Sequence, residues 1–396
     1  MAEWVECKIS DIGTVVGGAT PSTKKPDNYK NGTIAWITPK DLSTFSGRYI
    51  QSGERNITEI GLNSCSTQLL PKNTVLFSSR APIGYVAIAA NDVCTNQGFK
   101  SVIPNENTDP IFLYYLLKYN KDKIEGLGSG TTFKEVSGSM MKNIVVSVPK
   151  DKKIQERIAS VLNSIDNKIE ENERINNNLL EQVLMLYRNR FINTVNNERR
   201  ICRADEYFDI SIGKTPPRKE PQWFSTNPQD ITWVSISDMG TCGLYISSSS
   251  EQLTRESVER HNVKIVTDNT ILLSFKLTVG RIAITNGEMT TNEAIAHFKT
   301  DKKKINEYLY CYLKCFNYQT MGSTSSIATA VNSKIIKGMP FVVPTDDELI
   351  DFHSVAAPMF AKIKANQTES KNLTAVRDIL LPKLMSGELD VSNIDL

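Results

Sequence analysis

The sequence is poor in the residues that build metal sites and disulfide frameworks. It has seven cysteines and three histidines in 396 residues. The cysteines form no Cys-x-x-Cys pair and are odd in number, which predicts free thiols in a reducing compartment. The histidines His261, His297 and His353 lie far apart along the chain. This spacing argues against a zinc site.

Long apolar runs are also missing. No segment approaches the roughly 20 apolar residues that a membrane-spanning helix needs. The opening residues Met-Ala-Glu-Trp-Val-Glu are too acidic for a secretory signal peptide. We therefore expect a cytoplasmic protein.

The chain has no excess of charge of either sign. Its 46 basic and 44 acidic side chains give a net charge of +2. A surface that binds nucleic acid would have to be local and offset by acidic surface elsewhere. The length of 396 residues is sufficient for two or three domains with cores of their own.

Recognisable catalytic motifs are absent. An amino-group methyltransferase needs two prolines and an aromatic residue after an acidic or amide residue, but Ile111 replaces the second proline in the nearest run, residues 109–112. Residues 213–215 have the Gly-Lys-Thr end of a phosphate-binding loop, yet Phe208 stands where its first glycine belongs. The two prolines at 216 and 217 also exclude the helix that should follow. We predict no catalytic site on this chain.

The two halves of the sequence repeat each other. A Gly-x-Thr-Pro motif at residues 18–21 recurs 195 residues later, at 213–216. A Trp and an Asp follow each copy, at Trp36 with Asp41 and at Trp233 with Asp238. At an offset of 196 residues the matches continue with 73–78 and 269–274, Gly84 and Gly280, 87–88 and 283–284, 95–96 and 291–292, and 113–118 and 309–314. Ordered matches at a nearly constant offset indicate duplication.

Each half predicts a domain of mixed helix and sheet. Short apolar or alternating runs at residues 34–38, 75–78, 85–89 and 144–148 favour strands. Residues 110–123 favour a helix that begins with Asp109 as N-cap and a proline at the first helical position. Such a plan is α+β (α/β-type), and each half is long enough to fold alone.

A long helix is predicted after each half. Residues 151–194 contain no Pro or Gly and carry a heptad-like apolar stripe. The second stripe is interrupted by Pro358 and Pro382, where we expect kinks or helix ends. Both stripes have polar middles, around residues 170–178 and 366–370. These middles are either solvated or meet in an antiparallel pair and fix its register.

Three groups of motifs resemble those of type I restriction-modification specificity subunits. They are the repeated Gly-x-Thr-Pro, Trp and Asp, the Ser-x-x-Ala-Pro-Ile-Gly at residues 78–84, and the helical runs 155–169 and 377–389. The resemblance covers essentially the whole chain. It implies a duplicated fold with two globular target recognition domains, separated by two long antiparallel coiled-coil helices with pseudo-twofold symmetry. The implied boundaries are 1–150 and 198–345 for the domains, 151–197 and 346–386 for the helices, and 387–396 for a tail.

The resemblance also implies a function. Each domain would read one half of a bipartite target in double-stranded DNA, and the helices would set the gap between the halves. Two methyltransferase subunits and the restriction/translocase subunits would bind the scaffold, and S-adenosylmethionine, ATP and magnesium would bind those partners. A stand-alone DNA-binding or scaffold protein, and a DNA-modifying enzyme with an unrecognised site, remain alternative hypotheses.

Candidate DNA contacts are basic, hydroxyl and aromatic residues on loops, since phosphates and base edges are recognised by such groups. The second half lacks the Arg-Ala-Pro-Ile-Gly run of the first, so Lys276 or Arg281 is expected in the role of Arg80. Each candidate is equally compatible with an ordinary solvated residue, whereas Trp36 and Trp233 are predicted to be core. The candidates are Thr20, Lys24, Lys25, Lys40, Arg80, Tyr85, Ser129, Thr131, Thr132, Lys134, Thr215, Arg218, Lys219, Lys276, Arg281, Ser323, Thr324, Ser325 and Ser326.

Overall fold

The computed structural model describes residues 3–129, 134–194, 196–321 and 332–391. The chain forms two compact units, and each contains one of the repeated domains. Unit 1 comprises residues 1–171 and 370–396, and unit 2 comprises residues 172–369. Each unit therefore contains segments of both long helices.

The first domain is built on a five-stranded sheet in the order β2-β9-β6-β7-β4, accompanied by a three-stranded sheet β5-β3-β8 and a β1-β10 pair. Its strands are β1 (Trp4–Lys8), β2 (Gly13–Gly17), β3 (Ile34–Ile37), β4 (Tyr49–Ile50), β5 (Arg55–Ile57), β6 (Val75–Ser79), β7 (Ile83–Ala89), β8 (Cys94–Thr95), β9 (Lys100–Pro104) and β10 (Val145–Pro149). Its helices are α1 (Ile9–Ile12), α2 (Pro39–Ser43), α3 (Glu59–Asn63), α4 (Pro110–Tyr119), α5 (Lys121–Leu127) and α6 (Gly138–Asn143), and the long helix α7 (Lys152–Tyr187) follows.

The second domain repeats this topology, except that its smaller sheet has four strands instead of three. Its sheets have the orders β12-β20-β17-β18-β15, β13-β16-β14-β19 and β11-β21. The strands are β11 (Arg200–Arg203), β12 (Asp209–Ile212), β13 (Phe224–Ser225), β14 (Ile231–Val234), β15 (Tyr245–Ile246), β16 (Glu251–Leu253), β17 (Ile271–Ser274), β18 (Ile282–Thr285), β19 (Thr290–Thr291), β20 (Ile295–Lys299) and β21 (Pro340–Val343). The helices are α8 (Ala204–Tyr207), α9 (Arg255–Arg260), α10 (Asn306–Cys315), α11 (Ser333–Lys337) and the long α12 (Asp346–Met385).

The strand pairings match as well as the order. In both five-stranded sheets the edge strand pairs in parallel, β4 with β7 and β15 with β18, whereas the other ladders are antiparallel. The duplication and the α+β class predicted from the sequence are therefore confirmed.

Each central sheet buries one face against helices of its own unit. In unit 1 the fully buried Phe77 and Leu113 belong to a core that also contains Leu162 of α7 and Leu384 of α12. In unit 2 the corresponding core contains Leu309, together with Val183 of α7 and Phe352 and Phe360 of α12. The apolar stripes of the long helices are thus parts of the domain cores, and burial of this apolar area is the main force that stabilises both helices.

The helix predicted over residues 110–123 is divided in two. Asp109 is its N-cap, as expected, and accepts a hydrogen bond from the backbone N–H of Phe112 at 2.7 Å. The helix ends at Asn120, however, where the side-chain amide donates to the carbonyl of Leu116 at 2.9 Å. Asparagine competes in this way for backbone groups, so α4 stops there and α5 begins after it.

The second long helix continues through both of its prolines. A helix end at Pro358 or Pro382, one of the two expected outcomes, is wrong, because α12 is one helix from Asp346 to Met385. A proline leaves the carbonyl four residues earlier without its helical donor. Those carbonyls belong to Ser354 and Asp378, which are exposed, so water can donate to them. The first long helix, by contrast, ends in a π-helical turn over Arg188–Ile192.

The helix segments of unit 2 pack antiparallel through their polar middles. Asn172 donates to the Glu369 carboxylate at 2.8 Å, and Asn366 donates to the side chain of Asn176 at 2.9 Å. Further along, the ring centroids of Tyr187 and Phe352 are 6.1 Å apart. The residue numbers along α7 therefore rise while those of the contacting residues on α12 fall, as in any antiparallel pair. Polar middles that meet in an antiparallel pair, the second of the two sequence hypotheses, are confirmed.

The helix segments of unit 1 are joined by a buried ion pair. Asp166 of α7 is 5% exposed and accepts hydrogen bonds from Arg377 of α12 at 2.8 Å and from the Tyr115 hydroxyl at 2.7 Å. Among the described residues, no helix has the length and apolar character that crossing a membrane requires.

Candidate nucleic-acid interface

In the first domain, the Gly-x-Thr-Pro loop packs against the Thr-Asn turn. The backbone N–H of Ala19 donates to the carbonyl of Thr95 at 3.0 Å, and the indole N–H of Trp36 donates to the carbonyl of Ala19 at 3.1 Å. A Cβ added to Gly18 would lie 2.2 Å from the carbonyl oxygens of Thr95 and Asn96. Only glycine permits this close approach, which explains the first residue of the motif.

The second domain builds the same contact. The backbone N–H of Lys214 donates to Thr291 at 2.9 Å, and the indole of Trp233 donates to the carbonyl of Lys214 at 3.2 Å. A Cβ on Gly213 would lie 2.1 Å from the carbonyl oxygen of Asn292. Both tryptophans are core residues, as predicted, and each holds its loop through the polar end of the indole.

The threonine of each motif holds one exposed polar side chain. In the first domain the Thr20 hydroxyl donates to the amide oxygen of Gln97. In the second, the Thr215 hydroxyl donates to the Glu293 carboxylate. Gln97 and Glu293 directly follow the repeated Thr-Asn pair, and both are exposed. Neither is among the contacts predicted from the sequence, and its only sequence signal is this equivalent position.

A serine closes the loop between β6 and β7 beside Gln97. The Ser78 hydroxyl donates to the carbonyl of Pro82 at 2.8 Å and accepts from the backbone N–H of Tyr85 at 2.8 Å. The backbone of Ser79 is bonded to the carbonyl of Gly98 at 2.7 Å. The loop therefore lies next to the turn that carries Gln97.

The loop between β17 and β18 is closed in the same way. The Ser274 hydroxyl donates to the carbonyl of Thr278 at 2.6 Å and accepts from the N–H of Arg281 at 3.0 Å. The N–H of Phe275 is bonded to the carbonyl of Ala294 at 2.9 Å, next to Glu293. Each domain thus places three elements side by side: the Gly-x-Thr-Pro loop, the Thr-Asn turn and a serine-closed loop. We call this arrangement the reading site of the domain.

Comparison with known proteins agrees with this duplicated architecture. The family model of the type I restriction modification DNA specificity domain matches residues 1–181 and 200–353. The chain belongs to this family. It is 34% identical to the type I restriction enzyme MjaIX specificity subunit of Methanocaldococcus jannaschii, over 99% of this chain and 95% of that protein. It is also 20% identical to the HindI specificity subunit of Haemophilus influenzae, over 98% of this chain and all of that protein.

A solved structure shares the fold. The S subunit of a type I restriction-modification system from M. genitalium has a TM-score of 0.57 and 16% sequence identity, covering 97% of this chain and 96% of that one. The family model and the relative at 34% identity confirm the resemblance seen in the sequence, the role in DNA specificity and the classification as a non-catalytic specificity subunit. The repeated domains are called recognition domains 1 and 2 below.

The basic residues of the serine-closed loops have different environments. Arg80 of recognition domain 1 is half-buried and lies 3.5 Å from the Glu135 carboxylate. Lys276, at the equivalent position of recognition domain 2, is exposed. Arg281, the other candidate for the role of Arg80, donates to the carbonyl of Ile236 at 2.6 Å and so anchors its own domain. Lys276 is thus the residue in Arg80's place.

The Gly-x-Thr-Pro loops carry cations in both recognition domains. Lys24, Lys25 and Lys219 are exposed. Arg218 forms an ion pair with Glu251 at 2.8 Å, and its guanidinium lies 4.7 Å from the centroid of the Trp233 ring. This stacking orients Arg218, which lies three residues after Thr215 in the loop of the second reading site.

The remaining candidates are dispersed. Lys40 is exposed and pairs with Glu54 at 2.7 Å, whereas Tyr85 is half-buried against the core of recognition domain 1. Ser129 and Lys134 are exposed and flank a segment that is not described. Thr131, Thr132, Ser323, Thr324, Ser325 and Ser326 lie outside the described residues.

The charge of Glu293 is stabilised by its surroundings. Partial burial opposes ionisation, but the hydrogen bond from Thr215 and the positive charges of Lys276 and Arg218 together lower the pKa of Glu293. At neutral pH this side chain is a carboxylate and accepts hydrogen bonds only. The reading site of recognition domain 2 therefore presents a negative group whose charge is stabilised by Lys276 and by the Arg218 that is paired with Glu251.

Proposed function

We propose that this chain directs a type I restriction-modification complex to its DNA target, with each recognition domain reading one half of a bipartite sequence. The observation that carries this proposal is the reading site, which is built twice on the same backbone frame. The frame is held by equivalent bonds from Trp36 and Trp233, but the exposed groups that it presents differ. A repeated frame with different exposed groups suits recognition of two different sequences.

The distribution of charge agrees with this role. The exposed cations Lys24, Lys25 and Lys219 follow the Gly-x-Thr-Pro motifs of the reading sites by a few residues, although the net charge of the chain is only +2. Contacts to phosphate position a protein on DNA, whereas contacts to base edges provide specificity. The cations supply the first kind of contact, and the exposed polar side chains of the reading sites supply the second.

The long helices are the proposed spacer and docking surface. Within each unit they are tied together by polar contacts, Asn172 with Glu369 and Asp166 with Arg377. On α12, Ile350 and Ile379 are 52% and 62% exposed, so both offer apolar surface to a partner. We propose that they help to bind two methyltransferase subunits and the restriction/translocase subunits in the cytoplasm. S-adenosylmethionine, ATP and magnesium would bind those partners.

Mapping methylated adenines tests this proposal. The genome is sequenced for modified bases in cells that carry the whole system, and in cells that lack only this chain. We expect one bipartite motif to be methylated in cells that carry the whole system and to be unmethylated in cells that lack this chain. The purified chain should transfer no methyl group to a duplex containing that motif. Methylation of the same motif without the chain, or methyl transfer by the chain alone, would refute the proposal.

A further inference from the structure

Gln97 and Glu293 occupy the same place in the two recognition domains. They are 196 residues apart, and each follows the Thr-Asn turn. Each accepts a hydrogen bond from the threonine of its Gly-x-Thr-Pro loop, Thr20 or Thr215. The side chains are exposed, so neither is needed to fill a core.

The threonine bond restricts each side chain without using its full hydrogen-bonding capacity. An amide has two N–H donors and a second lone pair besides the one that Thr20 uses, and a carboxylate has a second oxygen besides the one that Thr215 uses. A side chain that is held in one orientation loses less entropy when it binds than a free one does. Gln97 and Glu293 are therefore pre-oriented, with polar atoms left to meet a ligand.

The chemistry of the two side chains differs although their frames agree. Gln97 both donates and accepts hydrogen bonds. Glu293 is held as a carboxylate by Thr215, Lys276 and Arg218 and only accepts them. A bare carboxylate would be repelled by DNA phosphates, but the positive charge of Lys276, together with that of Arg218, which is shared with Glu251, weakens this repulsion. The cations make a carboxylate tolerable at a DNA surface.

We propose that Gln97 and Glu293 each read one base in the major groove, Gln97 in the half-site of recognition domain 1 and Glu293 in that of recognition domain 2. Gln97 selects adenine, because its amide can donate to N7 and accept from the N6 amino group. Glu293 selects a base with an exocyclic amino group in the major groove, cytosine or adenine, because it can only accept. This assignment rests on the proposed function.

Lysine variants test the assignment. Gln97→Lys and Glu293→Lys replace each group with one that only donates, which favours the O6 and N7 acceptors of guanine. Matched controls are Asn91→Lys and Glu288→Lys. Both control residues are exposed and lie in turns at the opposite ends of β7 and β18 from the serine-closed loops. The controls add the same charges away from the reading sites.

Each variant chain is expressed with the rest of its system, and the methylated motif is mapped. We expect Gln97→Lys to change one base pair to one that presents guanine, in one half-site only, and Glu293→Lys to do the same in the other half-site. The controls should keep the parental motif. Unchanged motifs in the two reading-site variants would overturn the assignment while the parental motif still supports the proposed function. Absence of any motif in the parental system would instead refute that function.

Alanine variants decide the result if a lysine variant abolishes methylation. Gln97→Ala and Glu293→Ala remove the reading group and leave the frame intact. Each should relax discrimination at one base pair by roughly tenfold to a hundredfold. Full discrimination by these variants would overturn the assignment.

Discussion

At the scale of single residues, Gly18 and Gly213 show why the Gly-x-Thr-Pro motif begins as it does. Each lies against the carbonyl oxygens of a Thr-Asn turn, where a Cβ has no room. We expect Gly18→Ala to cost about 1 to 3 kcal/mol of stability, because the loop must move away from the turn. Since Thr20 moves with the loop, discrimination should be lost in one half-site only.

Gly126→Ala is the matched control for this prediction. Gly126 lies in α5 of the same domain, and a Cβ there would meet nothing within 4 Å. The stability of the Gly126→Ala variant should be equal to or slightly above that of the parent, because alanine favours a helix more than glycine does. Thermal unfolding and the methylated motif are measured for both variants. Equal stability of Gly18→Ala and Gly126→Ala would refute the steric explanation.

His297 makes recognition domain 2 sensitive to pH. It is fully buried between the hydroxyls of Ser211 at 3.0 Å and Thr291 at 2.7 Å. Burial, with repulsion from Lys299 and Lys264, lowers its pKa to about 3. Below pH ~6.5 the unfolded chain binds a proton that the folded chain does not, so stability falls as pH falls from 6.5 towards 3 and is unaffected by this group at higher pH.

The equivalent position of recognition domain 1 suggests the variant that measures the size of this effect. The equivalent of His297 in recognition domain 1 is the buried Ser101. Between pH 7 and pH 5 the parent should lose about 2 kcal/mol more unfolding free energy than His297→Ser does, at ~1.4 kcal/mol per pH unit. Denaturant unfolding at the two pH values gives both losses. Identical losses would show that His297 is not held neutral.

Residue patterns predicted the core more completely than the site. Trp36 and Trp233 were found from the repeat because large apolar side chains in matched strands mark a core. Gln97 and Glu293 were not found, because an exposed polar residue has the same appearance in a sequence whether it binds a ligand or water. Their selection required the hydrogen bonds from Thr20 and Thr215.

At the scale of secondary structure, the long helices are held by polar contacts that can be tested singly. Asp166 is buried between Arg377 and Tyr115. We expect Asp166→Ala to destabilise the protein by about 3 kcal/mol, because one terminal N–H group of the largely buried Arg377 guanidinium and the buried Tyr115 hydroxyl lose their acceptor, while Arg377 keeps its bond to Asp378. Unfolding by denaturant measures the loss.

An exposed ion pair in the same unit is the control. Lys40 and Glu54 are 2.7 Å apart, but both side chains are more than half exposed. Glu54→Gln should therefore leave the stability almost unchanged, because water screens an exposed ion pair. Similar losses for Asp166→Ala and Glu54→Gln would mean that burial does not determine the strength of these contacts.

The helix pair offers a test of the spacer at one position in each helix. Recognition domain 1 is bonded to α7 through Arg48 and Glu170 at 2.9 Å, and recognition domain 2 to α12 through Cys242 and Gln367 at 2.7 Å. The division between the compact units follows directly after these anchors, at residues 171/172 and 369/370. Insertions at these two positions disturb neither anchor.

We expect four residues inserted at both positions to widen the DNA gap. Four helical residues add ~6 Å at 1.5 Å per residue, which is about two base pairs at ~3.4 Å each. The half-sites should stay the same, because the reading sites are unchanged. A four-residue insertion in α7 alone is the control and should abolish activity, since it shifts the helices out of register. An active double insertion with an unchanged gap would exclude the helices as the spacer.

Element boundaries were predictable where apolar periodicity sets them. Strand β6, predicted at 75–78, is observed at Val75–Ser79. Two other boundaries were not predictable. The division at Asn120 depends on local competition for backbone hydrogen bonds. The passage of α12 through Pro358 and Pro382 depends on which carbonyls face water. Sequence periodicity carries no information on either.

At the scale of the whole molecule, the duplication was the most reliable feature of the sequence. A nearly constant offset predicted two domains of one topology, and the five-stranded sheets of the two domains have the same strand order. The predicted domain boundaries follow secondary structure, whereas the compact units follow packing and divide within both long helices. Packing of this kind is a tertiary property, since each domain buries its sheet against segments from both helices.

Replacement of one recognition domain tests the central claim most directly. Residues 1–150 are exchanged for the first recognition domain of a specificity subunit with a different target, and the methylated motif is mapped in cells that carry the complete system. Because the two reading sites are built independently, we predict that one half-site changes to that of the donor, while the other half-site and the gap remain the same. A change in both half-sites, or in neither, would contradict the account.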